Sequence, residues 1–302
     1  MSAAHRAAVC GKPIGHSLSP VIHSAGFAAA GLADWSYDRI ECAEAEFPAL
    51  VAGLGPEWAG LSVTMPLKSV ALEIAAEASR VARAVGAANT LVHRPDGSWF
   101  ADNTDVPGMV RVLDDAGVEI SDLTGGGGAT ARHLLYGAGP TVTVLGGGGT
   151  ARAALAAAAG LGIRDEVPVV TRRPEAVDEL TPVARALGLY LRGIDWAHAA
   201  EWLTADAVIS TVPKGAADEL AQLARWRPGT VFFDAIYDPW PTPLAASAAA
   251  AGNPVVSGLD LLLAQALGQF EQFTGVTPAP EAAMRAALRA AVGDWTPGTP
   301  HL

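Results

Sequence analysis

Residues 141–160 read TVTVLGGGGTARAALAAAAG. A β-branched run meets a glycine turn and then a run of small residues, which predicts a strand, a tight turn and a helix. Gly146, Gly148 and Ala151 satisfy G-x-G-x-x-A, the pattern with which a nucleotide-binding strand-turn-helix unit brings its backbone against a pyrophosphate. Glycine allows the close approach, and the helix start offers unpaired N–H groups and the positive end of the peptide dipoles. Gly146, Gly147, Gly148, Gly149, Thr150 and Ala151 are therefore the expected phosphate contacts. A second run just upstream, TGGGGATARHLL at 124–135, fits the same pattern through Gly126, Gly128 and Ala131. The VEISDLT before it alternates poorly and its helix would stop at Tyr136-Gly137, so 121–139 reads as an insertion before the true loop.

The strand after the glycine loop, VPVV, ends in Thr171, Arg172 and Arg173. A site for NAD would place an acidic residue there to accept from the ribose hydroxyls. Two arginines suit a 2′-phosphate instead, which they can clamp with bidentate hydrogen bonds, and this points to NADP.

Further out, β-like runs at 7–10, 36–41, 60–64, 90–93, 141–145, 167–171, 206–210, 230–234 and 254–256 alternate with alanine-rich helical runs. That alternation predicts an α/β chain with largely parallel sheet. At 302 residues two domains are expected, and the change of texture near 105 marks their boundary. Towards the end, Leu259, Leu262, Leu263, Ala266, Leu267, Phe270 and Phe273 recur at helical spacing, and Met284, Ala287, Leu288, Ala291 and Val292 repeat the pattern behind Pro280. Two helices with no strand after them need a surface already built, so they are expected to cross back over the first domain.

Composition narrows the function classes. With 20 basic and 31 acidic residues the net charge is −11, and no basic run exists to track a nucleic acid duplex. Cys10 and Cys42 form no CxxC pair and read as idle thiols in a reducing compartment, with neither a disulfide framework nor a metal site. The N-terminus lacks an apolar core of signal-peptide length, and glycine breaks the alanine runs at 153–159 and 245–251 before they could span a bilayer. A cytoplasmic protein is expected, with small-molecule partners.

Two scarce residue types draw attention. Arginine outnumbers lysine by 17 to three, the lysines being Lys12, Lys68 and Lys214. Lysine can give up its proton at accessible pH and arginine in practice cannot, so a retained lysine can serve proton chemistry. Lys68 ends LSVTMPLK, a strand running into a proline turn. Asparagine occurs at Asn89, Asn103 and Asn253, the first two in matching Asn-Thr pairs at strand ends, with Asp105 after the second. Ligand contact and local capping both account for such pairs.

Taken in order, these segments resemble the shikimate dehydrogenase family: GKPIGHSLSPVIHSAGF at 11–27, GLSVTMPLK at 60–68, GAANTL at 86–91, DNTDVPG at 102–108, the glycine loop, DAIYDPWPTPL from Asp234 and SGLDLLLAQA from Ser257. The resemblance implies an N-terminal α/β substrate domain with mostly parallel sheet (1–105 and 259–302), a Rossmann-like NADP domain (106–258), and C-terminal helices returning to the first. It implies that Ser17, Ser19 and Tyr237 hold a substrate carboxylate, that Thr64, Asn89 and Gln265 bind ring hydroxyls, and that Gly258 lies at the cofactor. Lys68 and Asp105 would be the catalytic pair for reduction of 3-dehydroshikimate to shikimate by NADPH, in a monomer or homodimer.

Several positions depart from the family pattern. Ser62 stands where asparagine is common, as does Ser24; Ala101 replaces a usual glycine, Leu261 a frequent methionine, and Thr171-Arg172-Arg173 replaces Asn-Arg-Thr. His16 and His23 are expected to hold their loop by hydrogen bonds rather than act as bases. Two alternatives remain open: a relative acting on quinate or an aminated analogue, and a non-catalytic NADP-binding sensor. The sensor would have no use for Lys68 and Asp105 beside the serine pair.

Overall fold

The computed structural model describes residues 5–118, 140–163 and 166–293; the second glycine run, with Gly126, Gly128 and Ala131, lies outside them. The chain divides into two compact units, one taking the residues up to Asp105 and from Leu262 on, the other Val106–Leu261.

The first unit is built on a six-stranded sheet of β1 (His5–Gly11), β2 (Trp35–Glu41), β3 (Trp58–Val63), β4 (Glu77–Ala78), β5 (Thr90–His93) and β6 (Trp99–Asp102), in the order β2-β1-β3-β5-β6-β4. β1 runs parallel to β2 and β3, whereas β5 is antiparallel to both β3 and β6, so the sheet is mixed. The turn Asp96-Gly97 accounts for the pairing of β5 with β6. Gly97 adopts φ 83°, and the Ser98 N–H donates to Asp96 Oδ1 at 2.9 Å, which folds the chain into a hairpin where alternation predicted only β5.

Helices α1 (Ser19–Ala29), α2 (Phe47–Ala52), α3 (Lys68–Ile74) and α4 (Arg80–Val85) join these strands. α5 (Asp105–Asp115) follows β6.

The second unit carries β7 (Val142–Leu145), β8 (Glu166–Thr171), β9 (Tyr190–Asp195), β10 (Ala207–Ser210), β11 (Val231–Asp234) and β12 (Val255–Ser257), in the order β12-β11-β10-β7-β8-β9. Every pairing is parallel. This is the doubly wound order, in which the first strand and the fourth lie side by side and the connections leave to opposite faces. β7 and β10 are buried along their whole length and are almost wholly apolar, as strands covered on both faces must be. The helices α6 (Gly149–Gly160), α7 (Glu175–Ala186), α8 (Leu220–Leu223) and α9 (Pro243–Ala250) alternate with the strands.

The last two helices are α10 (Gly258–Thr274) and α11 (Glu281–Val292). Their apolar stripe packs in the first unit. A side chain at Gly60 of β3 would overlap the Phe273 ring at 2.2 Å, and one at Gly26 of α1 would meet Phe270 at 2.9 Å and Met284 Sδ at 3.1 Å. Small residues early in the chain thus leave room for large ones near its end.

Candidate active site

Lys68 opens α3 directly after the turn Thr64-Met65-Pro66-Leu67, which is closed by Leu67 N–H donating to Thr64 O at 2.9 Å. Asp105 is the first residue of α5. Asn103 Oδ1 accepts from the Asp105 N–H at 3.1 Å, and Asn103 Nδ2 donates to Ala87 O at 2.9 Å. The capping reading therefore holds for Asn103, and the cap points Asp105 at its partner: Lys68 Nζ lies 2.7 Å from Asp105 Oδ2. The lysine side chain is 36% exposed and the carboxylate 16%, so the ammonium keeps access to a ligand while the carboxylate is set behind it. Lys12 and Lys214 are exposed.

The other Asn-Thr pair is bound to the first. Antiparallel register sets Thr90 opposite Asp102, which brings Asn89 against Thr104. Asn89 Oδ1 accepts from the Thr104 N–H at 2.8 Å and from Thr90 Oγ1 at 2.8 Å, and Asn89 Nδ2 donates to Thr104 Oγ1 at 3.0 Å. Its other neighbour is Gln265 Oε1 at 3.5 Å, a distance too long for a full hydrogen bond. Gln265 itself turns Nε2 back to Leu262 O at 2.7 Å. Asn89 and Gln265 are thus neighbours, both buried, with the contact between them left weak.

Ser17 and Ser19 flank the start of α1, where the Ser19 N–H meets Ser17 Oγ at 3.3 Å. Arg39 on β2 grips the Ser17 carbonyl with Nε and Nη2 at 3.0 and 2.5 Å. Thr64 anchors its turn through its N–H to Cys10 O at 2.9 Å. His23 departs from expectation. It lies on α1 rather than in the loop, fully buried, with neither ring nitrogen hydrogen-bonded, and stacks on Tyr37 at 4.2 Å. Burial pulls its pKa down to about 3, which Gln269 nearby only partly opposes. It is a core aromatic in effect. His16 is exposed. Cys10 and Cys42 are both buried and free, and burial pushes the Cys10 thiol up to about 12.

In the second unit the glycine loop follows β7, at the point where the strand order reverses and doubly wound proteins bind their ligands. Gly146 takes φ 105° and donates its N–H to Val170 O at 2.8 Å. A Cβ at Gly147 would fall 2.4 Å from Ala176 Cβ, whereas Cβ atoms at Gly148 and Gly149 would meet nothing within 4 Å. Two glycines with open space over them at the start of the twelve-residue α6 make a cradle that fits a pyrophosphate. Thr150 and Ala151 form the first turn of that helix.

Beyond β8, Thr171 Oγ1 accepts from the Arg173 N–H at 3.1 Å. Arg172 donates to Ala216 O at 2.9 Å and lies 5.0 Å from the Trp196 ring, and Arg173 pairs with Glu179 at 2.5 Å. That pair is more than half exposed on both sides, so it yields readily to a phosphate. Gly258 begins α10, and a Cβ there would strike Ala235 O at 2.3 Å and Tyr237 Cδ1 at 3.0 Å. The Tyr237 loop is tied to β11 by the buried Asp234, which accepts from Thr242 Oγ1 at 2.8 Å and from the Ile236 N–H at 3.2 Å. Burial, chiefly, raises the Asp234 and Tyr237 pKa values.

Sequence reasoning missed Arg39, Tyr37 and Gln269. Gln269 carried a signal, since it follows Gln265 by four residues and shares its helix face.

A parallel doubly wound unit with an open glycine cradle defines a dinucleotide-binding protein, and a lysine-carboxylate pair on a second α/β unit gives it the groups of an oxidoreductase acting on a carbonyl. Comparison with known proteins makes the family specific. The sequence model of the shikimate dehydrogenase substrate binding domain matches residues 9–91, and that of the shikimate 5′-dehydrogenase C-terminal domain matches 258–289. Shikimate dehydrogenase (NADP(+)) of Maricaulis maris is 39% identical over 285 residues, 92% of this chain and 93% of that protein. The Caulobacter vibrioides protein of the same name is 37% identical, covering 95% of each. Among solved structures, Mycobacterium tuberculosis shikimate dehydrogenase superposes with a TM-score of 0.81 at 44% identity, over 95% of this chain and 99% of that one. The Thermus thermophilus enzyme in complex with NADP(H) and shikimate gives 0.77 at 28%, over 95% and 100%. The chain belongs to the shikimate dehydrogenase family.

Proposed function

We propose that this protein catalyses the reversible, NADPH-dependent reduction of 3-dehydroshikimate to shikimate. The observation that carries the proposal is the 2.7 Å contact of Lys68 Nζ with Asp105 Oδ2, with the ammonium still partly open. When bound, the reduced nicotinamide supplies a hydride to the substrate carbonyl carbon. Negative charge then grows on the carbonyl oxygen, where the Lys68 ammonium stabilises it and delivers a proton. Asp105 orients the ammonium and shares that proton. In the reverse direction the same pair removes the proton from the shikimate hydroxyl.

Substrate is held by neutral donors. Ser17, Ser19 and Tyr237 bind its carboxylate, needing no buried countercharge because hydrogen bonds to a carboxylate are charge-assisted. Thr64, Asn89 and Gln265 take the ring hydroxyls; the weak 3.5 Å contact between Asn89 and Gln265 supports this, since a hydroxyl inserted there would gain two proper hydrogen bonds. Gly146 to Gly149, Thr150, Ala151 and Gly258 lie along the dinucleotide, and Thr171, Arg172 and Arg173 at its 2′-phosphate. The protein works in the cytoplasm; among the described residues no helix is long and apolar enough to cross a membrane.

Lys68→Ala tests the reading. It should lower kcat by roughly two to four orders of magnitude while moving the shikimate KM far less, because the lost interaction is made mainly in the transition state. Turnover near that of the unaltered enzyme would remove Lys68 from the chemistry.

A further inference from the structure

A row of buried polar side chains runs behind Asn89, and the established chemistry makes no use of it. Tyr37 Oη meets Ser62 Oγ at 2.5 Å, Ser62 Oγ meets Gln269 Oε1 at 2.6 Å, and Gln269 Nε2 reaches Thr90 Oγ1 at 3.1 Å and Asn89 O at 3.0 Å. Thr90 Oγ1 in turn meets Asn89 Oδ1 at 2.8 Å. All of these residues are buried.

The direction of every bond is fixed by backbone groups that can act in only one way. A backbone carbonyl only accepts, so the Gln269 atom facing Asn89 O is the amide nitrogen, and Oε1 faces Ser62. The Ser62 hydroxyl must therefore donate to Gln269, which leaves its oxygen to accept from Tyr37. At the other end a backbone N–H only donates, so the Asn89 atom facing Thr104 N is Oδ1. Thr90 receives from Gln269 and so gives its own proton to Asn89 Oδ1. Every donor points the same way, from Tyr37 through to the Asn89 amide nitrogen. Chains ordered in this sense strengthen one another, and in a buried setting any reversal leaves a polar group unpaired.

We propose that Tyr37, Ser62 and Gln269 are positioning residues that fix the Asn89 side-chain amide with its oxygen turned inward and its NH2 turned toward Gln265, where the substrate hydroxyl binds. The departure of Ser62 from the family's common asparagine belongs to this device: a serine is short enough to stand between a tyrosine on β2 and a glutamine on α10. The proposal rests on the reading of Asn89 as a ring-hydroxyl contact.

The test is steady-state kinetics on Gln269→Leu, Asn89→Ala and the double variant. Gln269→Leu should raise the shikimate KM roughly three- to ten-fold, the scale of one buried hydrogen bond. Its kcat and its NADP KM should change less than about two-fold. Asn89→Ala should raise the shikimate KM at least as far, and the double variant no further than Asn89→Ala alone. A residue needed only for folding would lower the melting temperature and the active fraction while leaving the KM in place. If Gln269→Leu does not fold, Ser62→Ala interrupts the same row and should raise the KM in the same direction, with Ser62→Thr restoring it. An unchanged KM in these variants beside a raised one in Asn89→Ala overturns the positioning role alone, as does simple additivity in the double variant. An unchanged KM in Asn89→Ala overturns the reading of Asn89 and the proposal with it.

Discussion

Lys68 meets one oxygen of Asp105 at 2.7 Å, and the cap from Asn103 fixes the carboxylate at the head of its helix. Asp105→Asn keeps the shape and loses the charge, so we expect a severe loss of kcat without loss of fold. The double variant with Lys68→Ala should be about as impaired as Lys68→Ala alone, since in the proposed reaction both residues act on one proton. His23 makes a different prediction. Its pKa is about 3 when folded, against an ordinary 6.5. Between those values the unfolded chain binds a proton that the folded chain refuses, so stability is whole above about pH 6.5 and falls as the pH drops toward about 3. Carboxylates titrate in the same range, which makes the informative quantity a difference between proteins. From pH 7 to pH 5, urea unfolding should show the unaltered protein losing about 2 kcal/mol more than His23→Phe, a variant that keeps an aromatic ring against Tyr37. Equal losses would mean that His23 takes up its proton without unfolding.

The turn between β7 and α6 carries two glycines with opposite demands. A Cβ at Gly147 would fall 2.4 Å from Ala176 Cβ, so Gly147→Val should lower stability by several kcal/mol through overpacking. Gly148 faces open space, so Gly148→Val should fold normally and yet lose NADP binding, because its side chain takes the place of the phosphates. Thermal melts and NADP titrations of the two variants separate these outcomes. Around β8, Arg172→Ala with Arg173→Ala should weaken NADP about ten-fold to a hundred-fold and leave the weak NAD affinity nearly unchanged, the scale of a lost charge-assisted contact. Equal losses for both cofactors would assign the arginines to the fold or the pyrophosphate.

Elements such as β7 and α6 were legible because they are short, periodic and punctuated by glycine. β6 and β9 were not. β6 arrives through the Asp96-Gly97 hairpin, a local turn that stands outside the alternation of strands with helices. β9 is an edge strand with Tyr190 73% exposed, so no buried face imposes alternation on it.

At the scale of the molecule, the first unit is made from both ends of the chain. Helical spacing announced α10 and α11, but their seat is set by Gly26 and Gly60, which say nothing in isolation about Phe270, Met284 or Phe273. The same limit applies to the site. Lys68, Asp105 and Asn89 could be singled out by scarcity and by their motifs, whereas Ser62 and Gln269 stand 207 residues apart and meet only once the sheet and α10 are assembled. The central claim about the whole protein is its reaction, and one measurement reaches it: initial rates with shikimate and with quinate, each with NADP and with NAD, following formation of the reduced cofactor. Rapid oxidation of shikimate with NADP, with far lower kcat/KM for quinate and for NAD, is the predicted result. Failure to turn over shikimate with either cofactor, or a preference for quinate, would contradict it.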